Sequence, residues 1–292
     1  MSEQQHTIDP WEDVASSWER NRDRVFEAFR PVSEWLVAKV DPQPGETVLE
    51  LAAGPGETGF MAAERVGAAG RLISTDLSPS MVDAARRGAE DKGLANVECR
   101  VMDAQQLDLA DASVDAVVSR LGLMLVPDPT RSFREVRRVL RPGGRFAYAV
   151  IGTPDRNQWM SLLMGALSQH GRQPGTGNPF ALGGPFGLSS PDTNKELLTA
   201  AGFADVHTEE LVGAMHFDSA DDYWNLQTEI AGPVRQIVAS IPPEEKKAVR
   251  TTLEGILLPF ESGGHYDLPS LLMGVACYWG PARDGGATQK LQ

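Results

Sequence analysis

The residues best suited to chemistry gather around one stretch, VLELAAGPGETG, at positions 48–59. Gly54, Gly56 and Gly59 stand at GxGxxG spacing behind a short apolar run. Glycines there accept left-handed backbone and let a ligand approach the main chain, as in a nucleotide-binding turn. Steric needs alone also put glycines between strands and helices, so the pattern gains its meaning from the acids around it. Asp76 lies about 20 residues beyond Gly54, where a carboxylate can accept hydrogen bonds from both hydroxyls of a ribose. Its plainer role, capping the next helix, is already suited to Ser78 and Ser80. Asp103, followed by Ala104, offers an acceptor for an adenine amino group. Glu50 discriminates between ligands. Beside a pyrophosphate its charge would repel by about 1 kcal/mol or more, whereas beside an ammonium and a sulfonium it attracts. A ligand with both cations, a ribose and an adenine but no phosphate is S-adenosylmethionine.

Such groups need a sheet to hold them. Short runs rich in Val, Ile and Leu at 47–51, 71–75, 97–102, 114–119 and 145–151 read as strands. Helical stretches at 59–66, 80–92 and 130–140 separate them, the pattern of a parallel sheet with helices on both faces. The RPGG at 141–144 turns the chain back into the sheet. Ligands in such sheets bind beyond the carboxyl ends of the strands. Before the sheet, residues 1–45 read as helices: Asp9-Pro10 starts one, with Trp11, Val14, Ala15 and Trp18 on one face, and a second stretch presents Val25, Phe26 and Phe29 and, after Pro31, Trp35, Leu36 and Val40. After it comes a Gly- and Pro-rich loop at about 170–190, whose phenylalanines suggest a lid. A helix over 191–201, a strand over 206–217, a helical block over 219–260 and a strand over 271–279 follow, and 281–292 read as a flexible tail. The block separates two strands that would otherwise pair, so 219–263 is expected to be an inserted cap on a core of 46–218 and 264–280.

Composition narrows the function classes. The 292 residues suffice for one large α/β domain with an inserted unit. A net charge of −13 argues against general affinity for nucleic acid or anionic membranes, which needs clustered Lys and Arg. Cys99 and Cys277 are the only cysteines and no histidines cluster along the chain, so neither a disulfide framework nor a metal site is expected. The first residues lack the pattern of a signal peptide, and no apolar run approaches the roughly 20 residues of a membrane span. A cytoplasmic protein with a small-molecule partner is expected.

The quoted motifs match a known family. ELAAGPGETG, STDLSPSM, VMDAQQL, VDAVVSR and FREVRRVLRPGGR, in this order, resemble the class I S-adenosylmethionine-dependent methyltransferases, and most of all the branch related to ubiquinone/menaquinone biosynthesis. The resemblance covers about 47–151 and continues weakly through LLTAAGFADV. It implies a Rossmann-like sheet of seven mostly parallel strands in the order 3-2-1-4-5-7-6, with strand 7 antiparallel. It also implies that Glu50 and the backbone of Ala52, Ala53, Gly54 and Gly56 hold the methionine moiety. Asp76 would bind the ribose, with Leu77 and Met81 flanking the adenine. Asp103 and Ala104 would read its edge, and Ser119 and Arg120 would line the floor near the methyl group. Where many relatives carry a Tyr in the N-terminal helix, this chain has Trp11 and Trp18.

For the acceptor, Trp18, Arg120, Asn157, Trp159, His216 and Tyr223 are the candidate contacts, by their position at the carboxyl edge, in the N-terminal helices or in the cap. None of the five histidines, His6, His170, His207, His216 and His265, is singled out as a base, and methyl transfer from a sulfonium needs one only when the nucleophile must lose a proton. Two other readings fit the glycine turn: an NAD(P)-dependent oxidoreductase, and a protein that binds the nucleoside without turnover. Glu50, the Asp103-Ala104 pair and the lack of a Tyr-x-x-x-Lys pair weigh against the first.

Overall fold

The computed structural model describes residues 11–172 and 177–280. The expected helix start at Asp9-Pro10, His6, part of the 170–190 loop and the 281–292 tail lie outside the described residues.

Two helices open the described chain, α1 (Ala15–Arg20) and α2 (Arg22–Val40). Pro31 lies inside α2. It sits on the solvent side, while Val25, Phe29, Val32, Leu36 and Val40 continue the buried stripe past it. The alternating region follows as β1 (Thr47–Leu51), α3 (Glu57–Val66), β2 (Arg71–Asp76), α4 (Pro79–Asp91), β3 (Val97–Val101), β4 (Val114–Arg120), α5 (Pro129–Val139) and β5 (Leu140–Ile151). Next come α6 (Gln158–Gln169), α7 (Pro191–Ala200) and β6 (Ala204–Phe217). The chain then runs through α8 (Ala220–Ile230), α9 (Gly232–Ser240) and α10 (Pro243–Leu257) to β7 (Glu261–Ser262) and β8 (His265–Tyr278).

The strands lie in the order β3-β2-β1-β4-β5-β8-β6, with the short β7 paired to β8. Strands β1 to β5 pair in parallel, and β8 runs antiparallel to both β5 and β6. This is the expected Rossmann-like order, with β8 in the place of the expected seventh strand. The extra β7 is a two-residue piece closed by a tight turn in which Gly263 and Gly264 both take positive φ, 62° and 88°. Strands covered on both faces lose polar alternation, and β1 and β4 are accordingly almost wholly buried. Phe133, Phe146, Tyr148 and Phe203 pack together behind β5, with Tyr148 Oη donating to Asn194 Oδ1 at 2.7 Å.

Three further differences from the sequence reading have local causes. The RPGG stretch lies inside β5 rather than before it, accommodated by Gly143 at φ 76° and a register shift opposite β4. Helix α6 was not anticipated, although Trp159, Leu163, Ala166 and Leu167 form a buried helical stripe. The 219–260 block is three helices, because Gly232-Pro233 and Pro242-Pro243 interrupt it. Ser219 caps the first, its Oγ accepting from Asp222 N at 3.0 Å.

Candidate cofactor and active site

The glycine turn is built at the carboxyl end of β1, the central strand between β2 and β4. Ala52, Gly54 and Gly56 take φ of 49°, 54° and 95°. At Gly56 a side chain is excluded twice, by φ and by the Phe60 ring, 2.7 Å from where a Cβ would lie. Ala52 is a non-glycine residue in left-handed backbone, and its methyl occupies the space that a side chain on Gly122 would need. Leu121, just past β4, is left-handed as well, at φ 59°. Two adjacent central strands thus end in strained residues, which is common where a fold builds a ligand site.

The acids anchor this turn. Glu50 is buried beneath it, with Oε1 accepting from Gly59 N at 2.8 Å and Oε2 from Ser74 Oγ at 3.1 Å. Burial pushes its carboxyl up to about 8, against the pull of those hydrogen bonds. Its oxygens therefore tie β1 to β2 and to the first turn of α3, a fastening role that composition and spacing had not suggested. Asp76 closes the other side: Oδ2 accepts from Gly54 N and Oδ1 from Ser78 N, both at 2.9 Å. Burial raises its carboxyl too. Ser78, not Asp76, caps α4 by accepting from Met81 N. Asp103 holds its own turn, Oδ1 accepting from Gln105 N at 2.8 Å, beside a buried Ala104.

Sealed polar atoms without partners stand next to this turn. Among the described residues, Ser119 Oγ and Arg120 Nη1, at the end of β4, have no hydrogen-bond partner and no solvent. The Arg120 guanidinium lies over the Phe29 ring, 5.9 Å from its centroid, and burial lowers its proton affinity. Glu57, at the start of α3, is buried and meets Arg22 of α2 at 3.5 Å, an ion pair longer than a hydrogen bond. Ser33 Oγ and Thr58 Oγ1, 2.9 Å apart, join the same two helices. Glu57, Arg22 and Gly122 were not singled out from the sequence; Glu57 lay inside the glycine motif, while nothing local marked Arg22. An amino-acid-bearing nucleoside fits this set of groups. Its carboxylate would answer the orphaned Arg120 and Ser119, and the remaining acceptor positions of Asp76 and Asp103 suit ribose and adenine.

The expected acceptor contacts fall into distinct environments. Trp18 is half-buried, donating Nε1–H to Ile230 O at 2.8 Å and packing with Val14, Ala15 and the buried Met81. Asn157 and Tyr223 are fully buried and hydrogen-bonded inside the protein. Asn157 bonds Thr153 O, Leu271 O and Leu271 N, and Tyr223 Oη accepts from Leu163 N. Trp159 donates to Asn157 Oδ1 and packs edge-on against Phe29. His216 is exposed on the far end of β6, paired with Asp267 across the strands. Phe180 rests on Phe186 but is 53% exposed.

Comparison with known proteins agrees with this geometry. Residues 42–176 match the family profile described as "Methyltransferase domain". Nocamycin O-methyltransferase of Saccharothrix syringae is 28% identical over 82% of this chain and 87% of its own length. The ubiquinone/menaquinone biosynthesis C-methyltransferase of a Caulobacter species is 39% identical over 38% of this chain and 46% of its own. Relatives of higher identity are matched over only about a quarter to just over half of their length. Among solved structures, phosphoethanolamine N-methyltransferase 2 of Haemonchus contortus, in complex with S-adenosyl-L-methionine, shares the fold at TM-score 0.53 and 17% identity, over 86% of this chain and 53% of that one. Residues 42–176 thus form a methyltransferase domain, on a fold shared with S-adenosylmethionine-dependent methyltransferases.

Proposed function

We propose that the chain transfers a methyl group from S-adenosylmethionine to a small organic acceptor with an apolar or aromatic body, by in-line displacement. The observation that carries this reading is the sealed, unpartnered pair Ser119 Oγ and Arg120 Nη1 beside the turn anchored on Glu50 and Asp76. Arg120 offers a cation for the ligand's carboxylate, and Glu50 lies beneath the same loop, where a positive ligand would favour its charged form. When bound, the cofactor supplies a methyl carbon already activated by positive sulfur. The chain's task is then to align the partners and exclude water. The backbone of 52–56, Asp76, Asp103 and Ala104 would fix the nucleoside, and Leu77 and Met81 would flank its base.

In this reading residues 1–45 and 219–263 cover the carboxyl edge of the sheet. Two contacts between them support it: Trp18 Nε1–H to Ile230 O, and the ion pair of Arg24 with Asp222 at 2.6 Å. The O-methyltransferase aligned over most of the chain supports an oxygen nucleophile. Titration with S-adenosylhomocysteine and with NADH tests the cofactor, and binding of NADH alone would overturn the reading. Release of S-adenosylhomocysteine with a panel of phenols, enols and amines tests turnover, and silence across the panel would favour a binding role only.

A further inference from the structure

At the root of the helical segment between β6 and β8, His216 meets His265 and Asp267, which lie far along the chain from it. Each offers one ligating atom, and these atoms all lie within 4.8 Å of one another. Asp267 serves both imidazoles, with Oδ1 at 2.9 Å from His216 Nδ1 and Oδ2 at 3.4 Å from His265 Nε2. Around a first-row ion with bonds of about 2.1 Å, neighbouring ligand atoms sit about 3–3.4 Å apart, so both separations are already near those of a coordination shell. The other nitrogen of His216, Nε2, faces Asp218 Oδ1 at 3.3 Å. A carboxylate on the free nitrogen of a ligating histidine orients the ring and raises its basicity, the usual support for a metal-bound imidazole.

The backbone holds the three in place. His216 and Asp267 are directly opposed across β6 and β8, and His265 follows the tight Gly263-Gly264 turn. We infer that His216, His265 and Asp267 form a binding site for a divalent, imidazole-seeking ion of the zinc class, with Asp218 supporting His216. Two imidazoles and one carboxylate suit Zn²⁺, Co²⁺ or Ni²⁺ rather than the oxygen-seeking Mg²⁺ or Ca²⁺. His216 stands just before the segment that carries α8, α9 and α10, and His265 just after it. A bound ion staples the two ends of that segment together and stabilises it. The spacing of these residues along the chain concealed the site, which is why no metal was expected from the sequence.

The test uses full-length protein stripped with chelator and titrated with Zn²⁺, and with Co²⁺ as a spectroscopic probe. One equivalent of Zn²⁺ is expected, with affinity at least tenfold weaker in both His265→Ala and Asp267→Asn and unchanged in His207→Ala. Zn²⁺ should raise Tm and protect the 217–264 segment from proteolysis in the wild type but in neither cluster variant. All three side chains are half-exposed or exposed, so the variants should fold. Absence of saturable binding, or wild-type affinity in both cluster variants, would overturn the assignment.

Discussion

Glu50→Gln removes a charge while leaving a shape. In the wild type, one oxygen of Glu50 accepts from Gly59 N and the other from Ser74 Oγ. The glutamine oxygen can keep the first bond, and its amide can donate to the serine hydroxyl, which accepts as readily as it donates. The charge then has two measurable effects. The first concerns stability. The folded carboxyl ionises near pH 8, well above about 4.3 in an unfolded chain, so between these values the native state binds more protons. Its contribution is full below the lower value and is lost as pH rises through the upper, at no more than about 1.4 kcal/mol per pH unit. The variant should therefore gain in Tm relative to wild type as pH goes from 5 to 8.

The second effect concerns the ligand. A sulfonium held over the turn on the order of 8 Å away, at an effective dielectric of about 20, attracts the carboxylate by about 2 kcal/mol. That is enough to bring ionisation from near pH 8 down to near pH 6.5 in the complex, by about 1.4 kcal/mol per unit. S-adenosylhomocysteine has the same ammonium and carboxylate but no sulfonium, so the ratio of the two affinities isolates this attraction. Measured by calorimetry from pH 6 to 9, the ratio should shift toward S-adenosylmethionine by about tenfold or more in the wild type and stay flat in Glu50→Gln. A flat ratio in the wild type, or an equal shift in the variant, would refute a role for Glu50 in favouring a cationic ligand and leave it as a fastener alone.

Three other perturbations test the rest of the site. Asp76→Ala should weaken cofactor binding by about 1–3 kcal/mol in a direct titration, through lost charge-assisted hydrogen bonds. Asp76→Asn should not rescue it, because the Gly54 and Ser78 N–H groups each need an acceptor and asparagine offers one oxygen. Arg120→Met should leave the Tm of the free protein unchanged or higher, since it removes a buried guanidinium whose Nη1 has no hydrogen bond, while cofactor affinity falls at least tenfold; lower Tm with intact binding would contradict the assignment. Tyr223→Phe should destabilise by about 1 kcal/mol in denaturant titration, by removing the buried hydrogen bond between Leu163 N and Tyr223 Oη; a raised acceptor KM would mark Tyr223 as an acceptor contact.

What was legible in the sequence was what local chemistry controls. β1 and the turn after it could be read because fully buried strands are continuous apolar runs and left-handed turns select glycine. Asp76 and Asp103 could be placed because each follows a strand in an alternating α/β pattern. Asn157 and Tyr223 show the limit of such reading: their residue types suit a ligand as well as a core, and their burial among internal hydrogen bonds is visible only in the structure.

The sequence by itself therefore determined the parallel sheet, the glycine turn and the acids around it, since period, turn chemistry and spacing are properties of neighbouring residues. Only the tertiary structure decided what those acids hold. Glu50 spends its oxygens on Gly59 and Ser74, Arg120 Nη1 is left buried without a hydrogen bond, and His216 meets His265 and Asp267 at the root of the helical segment. The physical reason is the same in each case. Hydrogen bonds, desolvation and ligand geometry depend on distances between strands that pair across long stretches of chain, and no local pattern encodes those distances.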